Sequence, residues 1–220
     1  MQSEKIDKIF NYFASLFGDD PKCELKYSSD IELLVAIILS AQCTDVRVNK
    51  VTKELFKKYK TVQDFANADV KELEREIYST GFYRNKAKNI IAMAKAVKNP
   101  IFVSRSGLGV SPPLEKGEFI PRDMETLIKL PGIGRKTASV FLAEYHKIPA
   151  IAVDTHVIRV SHRLGFTKSR NPAVIERDLM AIFDRENWCK YHLYMVLFGR
   201  YHCTAKNPKC DTCLLKKKGV

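Results

Sequence analysis

The sequence is short of several things, and each shortage excludes something. It has no long apolar run: the longest, Ile31–Leu39, carries Glu32 inside it and falls far below the roughly 20 residues that span a bilayer. It has no apolar stretch behind a basic start, since Met1-Gln-Ser-Glu-Lys-Ile-Asp-Lys8 mixes both signs of charge, unlike a secretory leader. Alternating apolar and polar positions of the kind a half-buried strand needs are missing, with only Ile148–Val153 ambiguous. Acidic residues are outnumbered, 25 against 37 Lys and Arg. These shortages point away from a membrane or exported protein and from a β fold. A cytoplasmic, all-α protein is expected. The formal charge of +12 makes a polyanion, nucleic acid first, the partner class to look for.

What is present is helical period over a chain of 220 residues, long enough for one domain or two. Ile6, Ile9, Phe10, Phe13, Leu16 and Phe17 recur on one face. Ser29 and Asp30 offer N-caps for a buried helix through Leu39. Further helices are expected over Val46–Tyr59, Val70–Tyr78, Asn85–Lys98, Asp123–Leu130 and Arg135–Tyr145. Asn171-Pro172 reads as an N-cap followed by proline at the first helical position. A last helix, Trp188–Phe198, is expected to stop at Gly199. Between two of these helices, Val103–Gly117 is rich in Gly, Ser and Pro and has no period. It reads as an inserted surface loop, inert rather than a functional lid.

Chemistry concentrates in Leu130-Pro-Gly-Ile-Gly-Arg-Lys-Thr-Ala138, which lies between two amphipathic helices. Gly132 and Gly134 let the backbone turn tightly and bring bare N–H groups close to a ligand. At a helix start those groups and the dipole favour an anion such as a DNA phosphate. Lys136 falls in the first turn of the following helix beside Arg135. Both the dipole and that neighbour favour the neutral amine, provided the side chain is partly desolvated. A neutral amine is what a lysine needs to attack a sugar carbon and form a Schiff base. By position alone, a solvated phosphate-binding lysine is an equal reading.

The same segment, followed by Val153-Asp-Thr-His156, resembles the helix-hairpin-helix DNA glycosylase superfamily, and within it the endonuclease III family. Ser40-Ala-Gln-Cys-Thr-Asp45, Gly81-Phe-Tyr-Arg-Asn-Lys-Ala87 and Gly199-Arg-Tyr-His-Cys203 are similar to that family in the same order. The resemblance implies a bifunctional glycosylase and abasic-site lyase of base-excision repair, acting on oxidised pyrimidines in duplex DNA. It implies Lys136 as nucleophile and Asp154 as the catalytic aspartate. Asp154 also reads as a plain N-cap, and the two roles are compatible. A carboxylate fixed at a helix start stays ionised, and could stabilise positive charge on the sugar as the base departs. His156 matches the family histidine but reads equally as a packed or surface residue. A glycosylase must flip its target out of the stack, and Gln42 matches the family's inserting glutamine. Phe82 sits where the family has a second, apolar wedge.

Six cysteines in a cytosolic chain argue against a disulfide framework. Cys23, Cys43 and Cys189 are scattered and read as small core residues, whereas Cys203-x6-Cys210-x2-Cys213 has the spacing of a loop for zinc or an iron–sulfur cluster. The resemblance selects a [4Fe–4S] cluster, but its fourth cysteine position is Gly219 here. His202 and Cys189 are conceivable substitutes. From Cys203 onward five Lys stand against one Asp, which suits phosphate contact. By resemblance, residues 25–151 form a six-helix barrel carrying the hairpin, and 1–24 with 152–220 a second lobe. A DNA groove is expected between them, with Lys136 and Asp154 facing each other. The partner is duplex DNA containing damaged bases or abasic sites, bound by a monomer. Two rivals stand beside this reading. An adenine-mismatch glycosylase of the same superfamily is disfavoured by Lys136 and by the lack of a further C-terminal domain. The other is a non-enzymatic helix-hairpin-helix DNA-binding module.

Overall fold

The computed structural model describes residues 2–98 and 120–217. The Gly/Ser/Pro-rich stretch 103–117 and Gly219 lie outside the described residues. Among those residues all regular structure is helical. In chain order the α-helices are α1 (Gln2–Phe17), α2 (Asp30–Ser40), α3 (Asp45–Lys58), α4 (Val62–Ala66), α5 (Val70–Glu76) and α6 (Tyr83–Lys98). They continue with α7 (Met124–Leu127), α8 (Arg135–Glu144), α9 (Thr155–Arg163), α10 (Pro172–Ile182), α11 (Trp188–Tyr201) and α12 (Leu214–Lys217). The chain divides into two compact units: residues 24–146, and residues 1–23 together with 147–220.

Most helix starts are fixed by short polar side chains that accept from backbone N–H groups left orphaned in the first turn. Ser29 accepts from Glu32 N, Thr44 from Arg47 N, Asp69 from Glu72 N and Asp123 from Thr126 N. Thr61 and Asp64 form a reciprocal capping box. Asn171 accepts from Ala173 N with Pro172 at the first helical position, as the sequence implies.

The unit 24–146 is built on α2. Every residue from Ile31 to Leu39 except Glu32 is buried, so this helix has no solvated face and its apolar run is core. It packs against α3, α6 and α8. The other unit joins both ends of the chain. On α1, Ile9, Phe10 and Phe13 are buried with Val157 and Val160 of α9 and Tyr194, Met195 and Phe198 of α11. Each such side chain contributes roughly 1.5–3 kcal/mol by burial. The Phe10 ring stacks on Tyr191 with centroids 3.5 Å apart. The buried Tyr194 keeps its hydroxyl satisfied by donating to Gly18 O at 2.7 Å.

One ambiguity is resolved and two local expectations are corrected. Residues 147–154, which include the ambiguous Ile148–Val153, hold no strand. The helix expected over Asp123–Leu130 is the single turn α7, because the chain turns before Pro131. Gly199 does not end a helix: α11 runs through it to Tyr201. A Cβ at position 199 would lie 2.8 Å from the His156 Cβ and 3.2 Å from its Cα. The glycine lets α9 and α11 approach, a tertiary requirement that local sequence does not display.

Candidate active site and nucleic-acid interface

In the unit 24–146 the hairpin joins α7 to α8. Leu130 and Ile133 are buried and anchor it. Gly132 is required on two counts: its φ is +77°, and a Cβ there would stand 2.7 Å from the Asn89 Cβ on α6. Gly134 is the N-cap of α8 and supplies no side chain to its first turn. The N–H groups of that turn are therefore not bonded by a cap, the arrangement that receives an anion. Arg135 and Lys136 follow at once, both exposed. The exposed Lys136 side chain thus lacks the partial desolvation expected of it.

Gln42 and Phe82 lie on two separate turns of the same unit. Gln42 follows α2 and Phe82 directly precedes α6. Both are exposed, Phe82 by 62%, so it is not a core residue. Both also have left-handed backbones, at φ 54° and 48°. Non-glycine residues adopt that conformation at a cost and hold it only where their surroundings enforce it.

Sequence reasoning passed over the residue between them. Lys86 is 4% exposed. Its Nζ donates to Leu39 O and to Thr80 O, each at 2.8 Å. Burial lowers its pKa, and Cys43 opposes that shift. A signal was there: Lys86 stands four residues before Ile90 and next to Ala87, on the apolar face of an amphipathic helix.

In the other unit, Asp154 is the N-cap of α9. Its Oδ1 accepts from His156 N and Val157 N, both at 2.8 Å, and its Oδ2 has no hydrogen bond among the described residues. The carboxylate is held by one oxygen and offers the other. His156 Nδ1 lies 3.1 Å from Arg159 Nη2, and its Cβ packs beside Gly199. His156 is thus packed against α11. Arg159 Nε donates in turn to Cys203 O at 2.9 Å.

Cys203, Cys210 and Cys213 line one cavity of about 260 Å³ with Arg163, Phe198 and His202. The Arg163 guanidinium directs Nη1 at the Cys203 sulfur, 3.2 Å away. Three thiol groups around one cavity have the donor chemistry for an iron–sulfur group. Among the described residues, no group of three or more His, Cys, Asp and Glu side chains is gathered as a finished metal site. Cys189 lies elsewhere in the unit, directed at Ile148 O, and does not line this cavity. His202 does line it, with Nε2 3.3 Å from the Tyr12 hydroxyl.

Residues 35–185 match the HhH-GPD superfamily of base excision DNA repair proteins. The chain belongs to that family. Endonuclease III of Bacillus subtilis is 43% identical to it over 96% of this chain and 87% of the relative. Endonuclease III of Escherichia coli is 36% identical over 89% and 86% of the two chains. A trapped covalent endonuclease III–DNA intermediate superposes with a TM-score of 0.83 at 41% identity, over 100% of this chain and 98% of the other. A non-covalent endonuclease III–DNA complex superposes at 0.84, also at 41% identity, over 100% and 97%. The chain is a base-excision repair enzyme, a DNA glycosylase and abasic-site lyase. That sets aside the non-enzymatic rival.

Proposed function

We propose that this enzyme removes oxidised pyrimidines from duplex DNA with Lys136 as its nucleophile and Asp154 as its charge-stabilising and proton-transferring carboxylate. The observation that carries the reading is the position of Lys136: exposed, in the first turn of a helix whose start has no side-chain cap. Gly132, Gly134 and Arg135 hold a DNA phosphate at that helix start. This brings the sugar to the amine. Gln42 and Phe82 fill the space left by the flipped nucleotide; their exposure and enforced left-handed backbones support that role.

The steps follow from the groups present. The neutral Lys136 Nζ attacks C1′ of the deoxyribose, and the bond from C1′ to the base nitrogen breaks with its electron pair on the base, which takes up a proton. The sugar ring opens at the C1′–O4′ bond, O4′ gains a proton, and an iminium forms between C1′ and Nζ. Loss of a C2′ proton then expels the 3′ phosphate by β-elimination. Water hydrolyses the imine and returns the amine. Asp154, held through Oδ1, keeps Oδ2 to balance the positive charge on the sugar and to move protons.

Cys203, Cys210 and Cys213 are proposed to supply three thiolates to a [4Fe–4S] cluster, which would hold their loop in shape. No helix among the described residues is long and apolar enough to cross a membrane. We place the enzyme as a monomer in the cytoplasm, on chromosomal DNA. The test is borohydride reduction on a duplex bearing thymine glycol. Lys136→Gln is expected to bind this duplex with an affinity within about threefold of the parent and to form no covalent adduct. A variant that traps like the parent would move the nucleophile elsewhere.

A further inference from the structure

We propose that Lys86 is a positioning residue for strand insertion. Its buried ammonium joins the turn that carries Gln42 to the turn that carries Phe82, and so sets both insertion residues from one point. The inference rests on the reading of Gln42 and Phe82 as the residues that enter the DNA stack.

The geometry is specific to an ammonium. Leu39 O belongs to the last turn of α2, where carbonyls have no partner within the helix and carry the negative end of its dipole. Thr80 is the last residue of the 3₁₀ turn Tyr78–Thr80, and its carbonyl is not used in closing that turn. Leu39 is fully buried and Thr80 2% exposed, so water does not readily replace the missing partner of either carbonyl. The same Nζ reaches both at 2.8 Å. Three residues beyond Leu39 stands Gln42 at φ 54°, and two residues beyond Thr80 stands Phe82 at φ 48°. Lys86 also starts α6 from the other side, since its N–H donates to Phe82 O at 3.1 Å. One residue thus holds the turn of Phe82 through its main chain and side chain, and the turn of Gln42 through its side chain.

Among the described residues no acidic side chain is bonded to the ammonium; two carbonyl dipoles bear its charge, and burial lowers its pKa. For stability alone, an apolar side chain on an apolar helix face would serve without the desolvation cost of a cation. The ammonium brings directed bonds to two backbones that must hold strained shapes while pushing against stacked bases.

The experiment uses the full chain under single-turnover conditions on two duplexes, one with thymine glycol paired opposite adenine and one with a preformed abasic site. Insertion matters more for the paired lesion, where more stacking must be broken. Lys86→Met, which keeps side-chain length and removes the donors, is expected to slow base removal about tenfold and strand cleavage at the abasic site less than about twofold. In a background that lacks both insertion residues, Gln42→Ala with Phe82→Ala, the same change is expected to slow base removal less than about twofold further, because Lys86 acts through those two residues. Lys86→Gln, which keeps a shorter, neutral NH2 donor group, is expected to fall between. Equal slowing on both substrates would overturn the assignment, as would full additivity with that double variant. If neither variant folds, Lys86 is a residue of the fold alone and the assignment is again overturned. Gln42→Ala by itself separates the two readings. Equal loss on both duplexes from that variant refutes insertion by Gln42; a selective loss from it beside an unselective one from Lys86→Met refutes only the role of Lys86.

Discussion

At the scale of single residues, Asp154 holds a helix start through one carboxylate oxygen and leaves the other unbonded among the described residues. Oδ1 accepts from His156 N and Val157 N at the start of α9, and Oδ2 is the oxygen that the proposed mechanism gives to the substrate. Asparagine separates the roles, because its amide oxygen can accept the same two bonds while the charge is gone. Asp154→Asn is therefore expected to lower single-turnover base removal by about a hundredfold or more, with DNA affinity and melting temperature little changed. Loss of fold and of binding in parallel would reduce Asp154 to a cap. Its cap was legible beforehand in the residues themselves, since an Asp after an apolar run and before Thr-His-Val is a local signal; its catalytic reading came from the family resemblance. For Lys136, position in the first turn after Gly-x-Gly left nucleophile and phosphate-binding lysine equal, and the resemblance chose between them. The burial of Lys86 was legible from the apolar face it shares with Ile90, but its partners were not, because no pattern around residue 86 displays the carbonyls of Leu39 and Thr80.

At the scale of helices, packing rather than propensity decides the sign of a substitution. Gly199 sits inside α11 against His156 of α9. Replacing an interior helical glycine with alanine gains about 1 kcal/mol from propensity where there is room. Here the added Cβ meets the Cβ and Cα of His156 at 2.8 and 3.2 Å, atoms that cannot swing aside. Gly199→Ala is expected to destabilise the protein by about 1–3 kcal/mol, as overpacked cores do. Thermal melting followed by circular dichroism measures this, and a more stable variant would show that the helices have room to part. Most long helices announce themselves in the sequence, through apolar period and through caps such as Ser29 and Asn171, whereas the five-residue α4 behind Thr61 was not anticipated. Their ends are harder to read: glycine at 199 has the composition of a stop and the function of a contact.

At the scale of the whole molecule, the cysteine loop is legible as three thiols at metal-binding spacing, while the fourth ligand is not legible at all. Gly219 stands where the family pattern has cysteine, and His202 is the one other candidate that lines the cavity. A cubane held by three thiolates leaves one iron open to exchange and oxidation. The chain is expected to purify with less than one cluster per molecule, and Gly219→Cys to raise iron, sulfide and melting temperature together. Iron and sulfide determined after anaerobic purification, beside a melting curve for each protein, check this. Full and air-stable occupancy in the parent, or zinc in both, would refute it. The pairing of α1 with α11 has a different consequence, felt during synthesis. On the ribosome, α1 precedes its partner aromatics Tyr191, Tyr194 and Phe198 by some 170 residues. At about 5–20 residues per second the wait is roughly ten to thirty seconds. Until it ends, Ile9, Phe10 and Phe13 lack the α11 side of their native surroundings, whereas residues 24–146 are a unit whose own partners have been made by residue 146. The nascent chain carries an incompletely covered apolar helix over that interval, and chaperone demand should be set by α1 rather than by the unit that carries the lysine.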